Sequence, residues 1–168
     1  AFWNFPRAET LVIESTNGNR DDKFVTREVA EDSLVRGVNS TIQNGGRVLI
    51  PVPVLGLSQE ICVTLGMLRS INKINPENIF VDQKILDMFF FYEMYSEYLS
   101  KTLKQRISER TEDPLYINKL VSLEPSINWN GSIILCPSSM LTDGPSVKYL
   151  NEIAGDSLSK VILLSEQF

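Results

Sequence analysis

Glu14 ends a short apolar run, Thr10-Leu11-Val12-Ile13, and is followed at once by Ser15-Thr16-Asn17-Gly18-Asn19-Arg20. A carboxylate in such a place could handle a proton or serve a metal ion. The chain contains no histidine, so the customary partner of that acid would have to come from outside it. A second candidate cluster is Pro137-Ser138-Ser139-Met140-Leu141-Thr142-Asp143-Gly144-Pro145-Ser146. Small polar residues between a strand and a helix leave backbone N–H groups free to face an anion. The plainer alternative is an ordinary turn with Ser146 as the helix N-cap. Cys62 and Cys136 sit in apolar stretches without CxxC spacing, which predicts buried thiols and neither a metal site nor a disulfide framework.

Elements must position these residues. Five apolar runs read as strands: Leu11 to Glu14, Val48 to Val52, Asn78 to Val81, Ser132 to Cys136 and Lys160 to Leu164. Most are continuous and not alternating, as suits strands covered on both faces of a parallel sheet. On this reading Glu14 stands at a strand's carboxyl edge, where open α/β sheets hold their ligands. Helical spacing runs through Val25, Val29, Leu34, Val38 and Ile42 and is stopped by Asn44-Gly45-Gly46. A second helix is expected from Leu55 to Ile71, a long helical stretch over residues 84–123, and a last helix from about Val147 to Ala154. Strand and helix in alternation predict a three-layer α/β fold, Rossmann-like, with a mainly parallel sheet flanked by helices.

With 168 residues and 43% hydrophobic content, the chain can bury one ordinary core, and one domain over 1–168 is expected. No apolar run is long enough to span a bilayer, and the start lacks the pattern of a secretory signal, so an intracellular protein with no membrane partner is expected, cytoplasmic or, in a eukaryote, nuclear. A net charge of −5 argues against gripping nucleic acid by bulk electrostatics. Lys101, Lys104, Arg106 and Arg110 alternate with Glu97, Glu109, Glu112 and Asp113, the pattern of a solvated helix face. The aromatic run Met88-Phe89-Phe90-Phe91-Tyr92 reads as core or interface sooner than as a base-stacking platform.

Three segments in order are more specific: Ile13 to Arg20; Gly45-Gly46-Arg47-Val48-Leu49-Ile50-Pro51-Val52 with Leu55-Gly56-Leu57-Ser58-Gln59-Glu60; and Ser138 to Ser146 with Tyr149-Leu150. Together they resemble the β-CASP domain of metallo-β-lactamase-fold nucleases, a group that includes the cleavage and polyadenylation specificity factor endonucleases, their archaeal relatives and bacterial RNase J. The resemblance implies a domain inserted into a metallo-β-lactamase domain absent from this chain, with RNA entering between the two. It implies that Glu14 orients a histidine outside the chain that donates a proton near the zinc site. Ser15, Thr16, Gly18, Arg20, Ser138, Ser139, Gly144 and Ser146 are the implied substrate contacts. Zinc is implied for the parent's metallo-β-lactamase domain, with no metal ligands or cofactor in this chain, which alone should be inactive.

Some positions differ from the family pattern. Asn17 stands where a tyrosine is usual, Leu57 replaces an arginine, Asp143 replaces a glycine, and Ser165-Glu166-Gln167 replaces Gly-Tyr-Gln. An acid beside a phosphate path repels RNA, and leucine cannot replace a guanidinium contact, so the implied RNA affinity is weakened. Two other functions fit the same residues. One is a noncatalytic β-CASP paralogue acting in assembly of an RNA 3'-end processing complex. The other, a self-contained nucleotide binder, has no GxGxxG or P-loop after its first strand to support it.

Overall fold

A computed structural model describes residues 7–15, 25–101, 104–105, 120–124 and 127–164. Strands β1 (Val48–Pro51), β2 (Ile79–Val81), β3 (Leu120–Ser122), β4 (Ile133–Cys136) and β5 (Lys160–Val161) form one sheet in the order β3-β2-β4-β1-β5, and every pairing is parallel. β4 is central because both its neighbours pair along its length, Leu49 opposite Ile134 and Phe80 opposite Ile134. Every residue of β1, β2 and β4 is buried. This is the physical reason that these strands are continuous apolar runs: helices cover both faces.

Side chains alternate between two cores. Val48 and Ile50, Ile79 and Val81, and Ile133 and Leu135 point to one face, where they meet helices α1 (Arg27–Gln43), α2 (Leu57–Ser70) and α3 (Gln83–Met94) through Leu34, Val38, Cys62, Leu65, Leu68, Ile85 and Phe89. Leu49, Phe80, Ile134 and Cys136 point to the other, where α4 (Gly144–Ile153) contributes Tyr149 and Ile153 and a loop contributes Trp129. The three layers expected from the sequence are therefore present. Among the described residues no helix is long and apolar enough to cross a membrane.

Local chemistry sets the helix ends. Thr26 caps α1, its hydroxyl accepting the Val29 N–H at 3.4 Å. At the other end Gly45 takes φ +78°, and the Gly45 and Gly46 N–H groups donate to the Ile42 and Thr41 carbonyls, both at 2.9 Å. That is a Schellman ending, which glycine permits at no steric cost. Asp82 starts α3 by accepting the Lys84 N–H at 2.9 Å.

Four expectations are corrected. Residues 10–15 form no strand: Leu11, Val12 and Ile13 are 73%, 93% and 68% exposed. The apolar run has strand composition, but nothing in the described chain covers either of its faces, and a strand is stable only through its neighbours. Residues 84–123 are not one helical stretch; α3 ends at Met94, a single 3-10 turn spans Ser96–Tyr98, and Leu120–Ser122 is strand β3. Edge position explains the miss, since β3 is only half-buried and carries no continuous apolar run. The last strand stops at Val161, and Leu163 is exposed. Finally, α4 begins at Gly144 and its N-cap is Asp143, so Ser146 is an interior residue of the first turn.

Candidate functional site

Because all five strands are parallel, their carboxyl ends lie along one edge of the sheet, the side where open α/β sheets bind ligands. The segment Pro137 to Asp143 leaves β4 at the middle of that edge and enters α4. It folds on itself around Ser146, which is fully buried. Its hydroxyl accepts the Ser138 N–H at 2.8 Å and donates to the Asp143 carbonyl at 3.2 Å, while its own N–H donates to Pro137 O at 2.7 Å. Leu141 N–H closes a turn onto the Ser138 carbonyl at 3.2 Å, and Met140 N–H reaches Ser138 Oγ at 3.4 Å. Gly144 has φ +69°, a conformation that favours glycine.

These bonds divide the predicted residues of this loop. Ser138 and Ser139 are half-buried on the loop and Gly144 is exposed at the helix start, so these three are available at the edge. Ser146 is turned inward and shapes the loop. The N-terminus of α4 favours an anion, whereas Asp143, exposed and making no side-chain cap bond, opposes one.

The neighbouring connection, between β1 and α2, is held by a residue to which the sequence reading assigned no role. Gln59 is 4% exposed and its amide is fully used. Oε1 accepts the Gly56 N–H at 2.7 Å and the Ser58 hydroxyl at 3.1 Å; Nε2 donates to the Val54 and Ile85 carbonyls at 3.1 and 3.2 Å. Gly56, at φ +89°, is the N-cap, and the Gly-x-x-Gln spacing was the readable signal, half of a capping box. The bond to Ile85 locks this loop to α3. Leu57, in place of the family's arginine, is a half-buried first residue of α2.

Glu14 and Ser15 lie on the exposed segment outside the sheet, and Thr16, Gly18 and Arg20 fall outside the described residues, as does Asn17. Lys101 and Lys104 are exposed, consistent with a solvated face, while Arg106 and Arg110 are outside the described set. The aromatic run is divided: Phe89 joins the core, and Phe90 and Phe91 are 59% and 46% exposed.

At the opposite, amino edge, Trp129 is 2% exposed, in a setting that its polar neighbours in sequence did not reveal. Its indole N–H donates to Glu152 Oε2 at 3.1 Å, Tyr149 packs edge-on at 5.7 Å, and the Arg47 guanidinium lies 5.1 Å over its ring. Arg47 also donates to Asp156 Oδ2 at 3.2 Å. The Ser159 hydroxyl and Leu158 N–H donate to the same carboxylate and, with Arg47, hold Asp156 below the ordinary carboxylate range.

Among the described residues no set of side chains suits a zinc ion. Cys62 and Cys136 are buried, and burial pushes both thiols up to about 12, with the Asp82 charge adding to the effect on Cys136. Zinc needs the thiolate. Among the described residues no three Cys, Asp or Glu side chains gather in a group that could hold a metal.

Comparison with known proteins agrees with the α/β architecture. The family model described as "Beta-Casp domain" matches residues 58–168, a span that includes Gln59 and the Ser138–Ser146 loop and begins after Glu14. The chain is 34% identical over 174 residues to the "Transcription termination factor FttA" of Cenarchaeum symbiosum and 36% identical over 175 residues to that of Methanocaldococcus jannaschii, with 99% of this chain covered in each case. The protein of the same name from Pyrococcus abyssi is 34% identical over 97% of the chain. The chain spans about 27% of the length of the first two relatives. A family model across most of the chain, together with these relatives, places it in the Beta-Casp domain family.

Proposed function

We propose that residues 1–168 form a β-CASP domain inserted into a metallo-β-lactamase domain of a longer polypeptide, where they make one wall of the RNA cleft of a zinc-dependent processing nuclease. The observation that carries this reading is the Ser138–Gly144 loop at the carboxyl edge of β4, folded around the buried Ser146 hydroxyl, in a chain of this family. Ser138, Ser139 and Gly144 bind the substrate backbone, with Ser15, Thr16, Gly18 and Arg20 completing the contact from the segment after Glu14. Glu14 is the positioning carboxylate for a histidine contributed from outside the chain. Metal-activated water is the chemistry that the parent's zinc supplies. The relatives are termination factors by name, which supports RNA 3'-end formation as the setting and an intracellular, cytoplasmic location.

The test is RNA cleavage by the full-length protein with and without a zinc chelator, and with Glu14→Ala. Cleavage that the chelator stops, and that the variant lowers by about 10–100-fold, is the expected result for a carboxylate that orients the catalytic histidine. Cleavage indifferent to the chelator would overturn it. The exposed Asp143 and the loss of arginine at Leu57 favour one further reading, a noncatalytic member acting in assembly. RNA-processing complexes that form normally around a full-length protein with no cleavage of its own would establish that reading instead.

A further inference from the structure

The chain leaves the central strand β4 in a different direction from both of its neighbours. The connections after β1 and β2 pass to α2 and α3, on the face that holds Cys62, Leu65, Ile85 and Phe89. The connection after β4 passes to α4 on the opposite face, with Tyr149 and Ile153. Where neighbouring connections part to opposite faces a crevice opens at the carboxyl edge, and open α/β sheets bind their ligands there. β4 therefore has two such crevices, one shared with β1 and one shared with β2.

Charge separates them. On the β2 side, Asp82 and Glu124 line one hollow with Lys148. The Asp82 N–H donates to the Leu135 carbonyl at 3.0 Å, so this acid stands directly beside the end of β4. On the β1 side, no charged residue occurs in 52–58 or in 137–142. Glu60, the first acid beyond that loop, faces the Arg27 guanidinium at 3.7 Å. A polyanion is repelled by the first crevice and not by the second.

The β1 side is also held in shape. Its two walls begin side by side, the Val52 N–H donating to the Cys136 carbonyl at 3.1 Å, and then diverge. Each is tied from behind by a buried polar side chain: Gln59 bonds Gly56 and Val54, and Ser146 bonds Ser138 and Asp143. The outer faces stay open to a ligand. Leu55 is 58% and Met140 50% exposed, which gives each wall an apolar side chain for contact with bases. Ser138 Oγ accepts the Met140 N–H and keeps its own O–H to donate to a phosphate oxygen.

We propose that single-stranded RNA crosses the carboxyl edge through the crevice between β1 and β4. The Val54–Gly56 loop is the second wall, opposite Ser138 and Ser139, and the acidic hollow on the β2 side is left empty of RNA. The inference rests on the RNA-cleft reading and adds a route and a new wall to it.

The experiment is fluorescence anisotropy on the full-length protein with a labelled oligouridine, over about 50–200 mM salt. Leu55→Lys should tighten binding about two- to fivefold, the worth of one exposed ion pair. It should also steepen the log–log salt dependence by about 0.7, the value for one more phosphate neutralised on a single strand. Leu55→Glu should weaken binding by a similar factor. Glu124→Lys should leave binding unchanged, because β3 is three strands from β1, roughly 14 Å at ordinary strand spacing. That exceeds the screening length of about 8 Å at physiological salt. Leu55 and Glu124 are exposed, so neither change disturbs the core. Wild-type binding that both Leu55 variants leave unaltered, or that Glu124→Lys tightens as much as Leu55→Lys, would overturn the route and leave the RNA-cleft reading standing. No binding of the oligomer by the wild type would overturn both.

Discussion

Gln59 and Ser146 show how a buried polar side chain can set the shape of an edge that it does not touch from outside. Each is buried and each spends its hydrogen bonds largely on backbone: Gln59 on Gly56, Val54 and Ile85, Ser146 on Ser138 and Asp143. The cost of removing such a group is the desolvation of partners left unpaired. Gln59→Leu keeps the volume, takes the acceptor from the Gly56 N–H and a donor from the Ile85 carbonyl, and leaves the Val54 carbonyl only the Ser58 hydroxyl, so it should lower stability by about 1–3 kcal/mol in denaturant unfolding. A loss below a few tenths would mean that the β1–α2 loop relaxes onto water at no cost. Single residues were the least legible level of the sequence. The Gly-x-x-Gln spacing was readable beside Gly56, but the bond to Ile85 crosses 26 positions and belongs to the packed state alone.

Elements follow from patterns that act over a few residues, and most of them were legible. Helix α1 stops where Asn44-Gly45-Gly46 predicts, because a Schellman ending needs a positive φ that Gly45 supplies. Gly46 has a second task invisible from sequence. A Cβ built there would lie 2.1 Å from the Leu158 carbonyl oxygen and 3.0 Å from the Thr41 side chain, so the turn before β5 can approach β1 only over a glycine. Gly46→Ala should therefore cost at least about 3 kcal/mol, at the upper end of overpacking effects, because the clash is with backbone. Gly155→Ala meets nothing within 4 Å and serves as the control in the same thermal unfolding series. The run Leu11 to Glu14 failed at this level for a related reason. Composition can nominate a strand, but a strand exists only where a neighbour offers its ladder.

The whole molecule is closed at its amino edge by contacts between distant parts of the chain. Arg47 at the entry to β1 meets Asp156 after α4, 109 positions away, and stacks on Trp129 before β4. Asp156 is held below the ordinary carboxylate range by the Ser159 hydroxyl first, then the Leu158 N–H and Arg47. For a carboxylate lowered by folding, the stabilisation is complete above its unfolded pKa and is lost as pH falls through the folded value. Thermal unfolding followed from neutral pH down to below the carboxylate range should show the wild type losing more stability than Asp156→Asn, with the two curves converging in acid. Parallel curves would remove Asp156 from the closure. By itself the sequence determined the α/β class, the stop of α1, the buried thiols and the family resemblance. These are written in local periodicity, glycine positions and short motifs. Only the tertiary structure decided the strand order, the edge strand β3, the inward turn of Ser146 and the burial of Trp129. Each of these depends on which distant segments become neighbours, and long-range packing leaves no periodic trace in the chain.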